Sequence, residues 1–549
     1  MLFNSIPFIL VFLPAVLIGY YVLRYFSLFR VSLGWLAVAS LFFYAWWNPK
    51  YLLLLLTSIV LNFYLGKSIA NSRYKRPLLI IGISGNLAAI AVYKYLGFFA
   101  STVAQLTGAE IAVPELLLPL AISFFTFQQI AYLVDTYRTG YAEEMFDRYL
   151  LFVSFFPQLI AGPIVHHKEV AHQFSLLSVR AGRIDQVSTG LFLFSIGLAK
   201  KVLIADNLAP FANPVFSAVD SGATPTFLEA WGGLSAYTFQ LYFDFSGYAD
   251  MAVGLAKLFG IDLPINFNSP YKSRSIIEFW RRWHMTLSHF LRDYLYIPLG
   301  GSRRGSRSLN LLATMLLGGL WHGAGWNFII WGGLHGAFLI VNHQWLLLKT
   351  LIRSNLRVAY GGSFTENSAG SPAEKSSQPT HESVNRVARA RTWYPSYLGT
   401  LFSATPGVIA TFLAVSVAWA FFRAETIDGA ISMLRGIFGL QGLVIPEKIY
   451  QIAPGFFSSF ANASPGLALG SFPHIKGFAV IFIAMLLAFF APNSNELAQW
   501  IRGRPGEPYQ SQTRILLGLI AMTITGILFV VSLKIISTVP DSEFLYFNF

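Results

Sequence analysis

Apolar residues fill positions 5–23, 32–47, 51–66, 78–100 and 116–134, and short polar turns separate the runs. Such runs suit helices that cross a hydrocarbon core, which takes roughly 20 residues each. Arg24 and Arg30 follow the first run, and Lys67, Arg73, Lys75 and Arg76 follow the third. A turn Trp46-Trp47-Asn48-Pro49-Lys50 follows the second, a loop with Glu110 and Glu115 the fourth, and Arg138 and Arg148 the fifth. Basic loops therefore alternate with neutral or acidic ones, and the first acidic residue in the chain is Glu110. Lys and Arg collect on the cytoplasmic side of membrane proteins. The alternation predicts an external N-terminus, with the 24–31, 67–76 and 135–148 loops in the cytoplasm. Residues Met1–Tyr21 lack a basic leader and a cleavage site, so they read as a retained helix and not a signal peptide.

Further apolar stretches lie near 187–205, 227–260, 309–342, 400–422, 476–491 and 514–537. The pattern predicts an all-α, polytopic integral membrane protein with roughly ten to twelve transmembrane helices. Between 150 and 345 the apolar stretches are interrupted by Pro, Gly, His, Asp and Arg. These residues are costly against lipid, so this part is expected to be shielded interior with re-entrant, broken or interfacial helices. The chain divides into N-terminal transmembrane helices (1–150), a core (151–345), a polar cytoplasmic loop (346–399) and C-terminal transmembrane helices (400–549). Residues 361–385 are polar and of low complexity, which predicts a partly disordered loop and makes them a poor candidate for function. No internal repeat is visible, which weighs against a transporter built from inverted halves.

Composition sharpens this picture. Hydrophobic residues make up 55% of the 549 residues and charged residues 12%, about half the usual charged share of a soluble domain. The net charge of +13 is read as cytoplasmic loops facing anionic membrane lipid and not as nucleic-acid binding. There is no cysteine, which excludes disulfides, Fe–S clusters, thiolate zinc sites and a cysteine acyl-enzyme. Without a transit-peptide composition, a bacterial inner membrane is the simplest location.

Three clusters carry candidate chemistry. Between Lys272 and Arg307 stand eight Lys or Arg and two acidic residues, with Trp280, Trp283 and several Tyr among them. This suits either an interfacial helix snorkelling to lipid phosphate or a site for a phosphate-bearing ligand. The second cluster is Gly318-Gly319-Leu320-Trp321-His322-Gly323-Ala324-Gly325-Trp326-Asn327. A histidine within an apolar run needs a polar partner or a cavity. A helix from Leu309 would put His322 roughly 20 Å deep, past the middle of the core. The glycines permit close approach of a substrate, or simply tight helix packing. His284 and His289 are five apart, and His335 and His343 follow at 13 and 8 residues, so no metal-binding spacing appears. Third, Asp244 and Asp250 sit in the apolar 227–260 run. They suit either coupling ions in a transporter or interior carboxylates paired with arginine or histidine.

Phe279-Trp280-Arg281-Arg282-Trp283-His284-Met285-Thr286-Leu287-Ser288 and Trp321-His322-Gly323 resemble the two signatures of the membrane-bound O-acyltransferase family. Gln240–Asp250, Leu295-Tyr296-Ile297-Pro298-Leu299-Gly300-Gly301 and Phe544–Phe549 resemble its bacterial branch of alginate O-acetylation proteins. The resemblance covers nearly all of the chain except about 355–395, and it makes the 151–345 segment the catalytic core.

The resemblance implies that His322 is the catalytic histidine and that His284 is a second polar position, occupied by Asn or His in the family. It further implies acetyl-CoA as acyl donor, with no bound cofactor and no metal. His322 would act as general base on the acceptor hydroxyl, a role that suits an imidazole. His284 would donate to the thioester carbonyl or hold the acceptor. Lys272, Arg281 and Arg282 would meet phosphates of the donor, and Trp321 and Asn327 would position groups. The acceptor would be an exported polysaccharide such as alginate, reached through periplasmic acetyltransferase or relay proteins. A lipid or teichoic-acid acceptor is the alternative within the family, and a proton-coupled transporter using Asp244 and Asp250 the alternative outside it.

Overall fold

The computed structural model describes residues 1–110, 116–180, 184–360, 397–446, 450–451, 454–458, 463–466, 475–502, 512–539, 542 and 544–545. The polar 361–385 stretch and residues 546–549 of the C-terminal motif lie outside the described residues.

Among the described residues, six helices are long and apolar enough to cross a membrane: Pro7–Tyr25, Lys50–Asn71, Lys75–Thr107, Ile184–Asp220, Thr405–Arg423 and Gly518–Thr538. A seventh crossing is a pair, Lys476–Phe490 and Ser494–Ile501, bent by 55°. Phe29–Ala45 is apolar but shorter. The remaining helices that sequence counts toward ten to twelve carry polar groups that lower their hydropathy. They include Ile122–Thr139, Phe227–Leu258, Arg307–His322 and Trp326–Tyr360. The broken geometry expected between 150 and 345 thus also occurs in the C-terminal part. Helix Trp326–Tyr360 continues into the segment that the sequence assigns to a loop from 346. Strand is confined, among the described residues, to Leu443–Pro446 paired in parallel with Ala463–Gly466.

The centre of the fold is helix Phe227–Leu258, nearly all of whose residues are buried. It starts with a capping box: the Thr226 side chain accepts the Glu229 N–H while the Glu229 carboxylate accepts the Thr226 N–H at 2.8 Å, satisfying donors the helix start would leave open. Helix Ile184–Ala199 lies against it through two glycine pairs, Gly190 with Gly254 and Gly197 with Gly247, where a Cβ on either partner would collide with the other's main chain. Seven-residue spacing on each helix puts both pairs on one face.

Asp244 and Asp250 project from this helix into the interior. Their partners are lysines and not the arginines or histidines weighed from sequence. Lys201 lies 2.8 Å from both Asp244 and Asp206, and Lys200 lies 2.6 Å from Asp250. Ser494, at the bend of the C-terminal pair, donates to Asp250 as well. The two extremes of the sequence meet here. The ring of Tyr248 stacks on Phe3 at 4.8 Å on one side and meets Phe544 edge-on at 4.5 Å on the other. Asn4 donates to the carbonyl of Ser542, 538 residues away in sequence, and the Leu545 N–H donates to Asp244 at 3.0 Å.

Between Phe259 and Arg307 the backbone is irregular, with short helices Ile276–Trp280 and Met285–Phe290 and a π-helical turn Leu291–Tyr296. Much of this stretch is buried, including Asn266, Tyr271, Trp280, Trp283 and His284. Non-helical backbone at membrane depth is tolerated where protein covers it.

Candidate active site

His322 is the last residue of helix Arg307–His322. Ser306 caps the start by accepting the Leu309 N–H. The helix stops because Gly323 is extended, and Gly323–Gly325 turn the chain into the antiparallel helix Trp326–Tyr360. Fifteen residue steps at about 1.5 Å put His322 roughly 22 Å from Arg307. Sequence reading anticipated that depth but not the position, since the histidine sits at the bend of a hairpin and not within a continuous span. The hairpin closes tightly because Gly319 meets the main chain of Phe328 and Gly332, and Gly323 lies under the Phe328 ring. The packing reading of these glycines therefore accounts for them.

His284 opens helix Met285–Phe290 and has a left-handed backbone, φ +43°. For a non-glycine residue this costs roughly 1–2 kcal/mol, and such strain concentrates at functional sites. Its ring is fully buried. Nδ1 lies 3.1 Å from the side-chain oxygen of Asn266, which also accepts the Thr286 N–H at 3.3 Å and the Thr286 hydroxyl at 3.0 Å. The backbone N–H can only donate, so the Asn266 atom is the amide oxygen. Nδ1 of His284 must then carry the proton, and Nε2 of the neutral ring carries the lone pair.

The rings of His284 and His322 lie 6.5 Å apart. Trp321 flanks both, at 4.9 Å from His322 and 6.4 Å from His284. Trp331 and Phe422 meet His322 edge-on at 5.0 and 5.3 Å. Behind Trp331, at 4.8 Å, is a third buried imidazole, His335. The arrangement is a histidine pair in an aromatic chamber that excludes bulk water. Nε2 of His284 can accept a hydrogen bond from a hydroxyl beside it. Among the described residues no group of three His, Asp or Glu side chains gathers to hold a metal.

The structure brings His322, His284 and Trp321 together and keeps the other sequence candidates apart from them. The buried Asn327 donates to the Ala424 carbonyl at 2.6 Å and so ties the start of its helix to the end of Tyr397–Arg423. Lys272 donates to the Ala491 carbonyl at 2.6 Å. Arg282 pairs with Glu278 at 2.8 Å and donates to the Asn268 carbonyl. Arg281 is exposed and lines a surface cavity of about 660 Å³ with Glu278, Arg307 and His343.

A second cavity, about 570 Å³, opens beside Arg138, His166, Lys168 and Arg292, with Asp135, Glu169 and Asp293 in its wall. Tyr294 forms its inner side and bonds Asp135 and His166, each at 2.8 Å. His167, next to His166, is buried and pairs with Glu143 at 3.1 Å. From Tyr294 a ladder of rings leads inward: Phe290 at 5.0 Å, then Phe127 at 4.1 Å, then Trp321 at 5.1 Å, then His322. Sequence reading overlooked Asn266 and also Lys94, which reaches the main chain of His322. Lys94 had a signal, being the only charged residue between Arg76 and Glu110.

A sequence profile of the membrane-bound O-acyltransferase family (MBOAT) matches residues 146–360. The peptidoglycan O-acetyltransferase of Helicobacter pylori is 37% identical, with 100% of this chain and 98% of that protein covered. The probable alginate O-acetylase AlgI of Azotobacter vinelandii is 37% identical over 80% of this chain and 78% of its own length. The teichoic acid D-alanyltransferase of Streptococcus thermophilus is 30% identical over 44% of this chain and 60% of its own length.

Proposed function

The chain belongs to the membrane-bound O-acyltransferase family, and we propose that this membrane enzyme O-acetylates an exported polysaccharide with acetyl-CoA as donor. The observation that carries the reading is the buried His284–His322 pair, 6.5 Å apart in an aromatic chamber. His322 takes the proton of an acceptor hydroxyl, whose oxygen attacks the thioester carbonyl. A C–O bond forms, the C–S bond breaks, and the proton passes to the departing thiolate of coenzyme A. His284, whose Nε2 can only accept, holds the acceptor through a neighbouring hydroxyl of the sugar and not through the one that His322 deprotonates. With its Nδ1 proton given to Asn266, the neutral ring offers a lone pair and no second donor, which disfavours the alternative of donating to the thioester carbonyl. The closed chamber limits hydrolysis of the thioester.

The donor's nucleotide end sits in the cavity beside Arg138, Lys168 and Arg292. That cavity adjoins the 135–148 loop, assigned to the cytoplasm by Arg138 and Arg148, and the ring ladder gives the donor's arm an apolar wall from there to His322. Lys272 and Arg282 donate to carbonyls and Arg281 faces the other cavity, whereas Arg292, though paired with Asp293 at 2.7 Å, is more than half exposed at this cavity. The site lies in the bacterial inner membrane and passes the acetyl group outward, to periplasmic relay proteins or directly to polymer. Relatives named for peptidoglycan and alginate support a glycan acceptor. The transporter reading loses its support, since both of its carboxylates are ion-paired.

The test is a deletion strain complemented with the wild-type chain or His322→Ala. Alkali-labile acetyl esters are measured on the purified cell wall and on secreted polymer. The wild type restores esters on one of them, and His322→Ala, present at equal level in the membrane, restores none. Wild-type acetylation by His322→Ala would overturn the reading.

A further inference from the structure

Helix Arg307–His322 ends in the protein interior, where its last carbonyls have no water to accept from. Each of the four finds a partner. Gly319 accepts from the Gly323 N–H. Leu320 accepts from the Tyr95 hydroxyl at 2.8 Å. Trp321 and His322 both accept from the ammonium of Lys94, at 2.6 and 3.1 Å. The third ammonium proton reaches the Ser123 hydroxyl at 3.5 Å.

Two consecutive side chains from a distant part of the chain thus close this helix end. They come from the π-helical turn Ala91–Tyr95 within the span Lys75–Thr107. π-Turns inside α-helices are frequent at functional sites. Lys94 is half-buried, and among the described residues it forms no ion pair with a carboxylate. Its charge is instead matched by the carbonyl end of the helix, which carries roughly half an elementary negative charge. A cation within a membrane span is costly and marks function by default. Lys200 and Lys201, by contrast, are matched by carboxylates, so a carbonyl-matched lysine is a distinct arrangement.

We propose that Lys94, assisted by Tyr95, is a positioning residue for acyl transfer: it clamps the last turn before Gly323 and so fixes the ring of His322 toward His284. The Lys94 ammonium, donating to the carbonyls of both Trp321 and His322, fixes the backbone from which the imidazole projects. This inference rests on His322 being the base.

The experiment uses inverted membrane vesicles from the deletion strain carrying the full chain, with radiolabelled acetyl-CoA as probe. Alkali-labile label transferred to endogenous acceptor is read as kcat and as KM for acetyl-CoA. Lys94→Met keeps the side-chain length and removes the charge. It is expected to lower kcat about 10- to 100-fold, as a misplaced catalytic group does, with KM unchanged, and Lys94→Arg is expected to recover most of the rate. Wild-type kcat in Lys94→Met overturns the inference. So does a loss that Lys94→Arg shares in full, or one seen mainly in KM. If Lys94→Met fails to accumulate in the membrane, Tyr95→Phe carries the test: a lower kcat at constant KM supports the clamp, and an unchanged kcat overturns it. Vesicles with His322→Ala separate the two levels. An inactive His322→Ala beside an active Lys94→Met overturns the clamp alone, whereas an active His322→Ala overturns the base assignment and the clamp with it.

Discussion

The side-chain oxygen of Asn266 receives the Nδ1 proton of His284 at 3.1 Å and is itself held by Thr286. One amide therefore sets both the tautomer and the orientation of this histidine. Removing it with Asn266→Ala should lower kcat by about 100-fold through misorientation. Asn266→Asp keeps an acceptor at the same place and should lose much less. The comparison of acetyl transfer in the two variants checks the assignment: equal losses would show that the tautomer is not set here.

His284 itself has two separable requirements, a left-handed backbone and an acceptor atom. Asparagine meets both, since it is enriched at positive φ and its amide carries an oxygen. His284→Asn should keep activity within about 10-fold, whereas His284→Leu loses the acceptor and should fall by about 100-fold or more. Initial rates at saturating acetyl-CoA and equal membrane abundance decide it.

Lys201 is buried with Asp244 on one side and Asp206 on the other. Lys201→Met leaves buried carboxylate charge unpaired and should destabilise the fold by about 3–5 kcal/mol. Adding Asp244→Asn removes the charge most deeply buried and should recover part of that loss. Thermal unfolding of detergent-purified protein measures both, and no recovery in the double variant would mean that the pair is not coupled.

The placement of the donor is tested by charge removal at the two cavities. Arg292→Ala and Arg138→Ala should raise KM for acetyl-CoA by about 5- to 10-fold each, with kcat nearly constant, since phosphate contacts bind ground and transition states alike. If Arg281→Ala raised KM instead, the donor would belong in the cavity beside Arg307.

The membrane class, the helical architecture and the pairing of His284 with His322 were legible because each has a local signature: apolar runs, alternating basic loops and two short motifs. What escaped depends on contacts far apart in sequence. Asn266 lies 18 residues before His284, across irregular backbone where no periodicity tells which side chains meet. The lysine partners of Asp244 and Asp250 come from a helix that crosses theirs at two glycine pairs, and the crossing fixes which charge faces which. The contacts within the basic stretch from Lys272 to Arg307 were opaque for the same reason. Its count of cations was right as a sum, but Lys272 and Arg282 spend their donors on neighbouring main chain. Lys94 was the one oversight with a plain local signal, a lone charge in an apolar span.

The sandwich of Tyr248 between Phe3 and Phe544 has a consequence for biogenesis. Translation delivers helices to the membrane in order, so the central helix stands in place, without its C-terminal partners, while nearly three hundred further residues emerge. Asp244 meanwhile lacks the Leu545 N–H that it accepts in the finished fold. Closure of the interior is thus a late, all-at-once event. A chain cut short of residue 544 would be inserted but unsealed, exposing polar interior that membrane quality control can recognise.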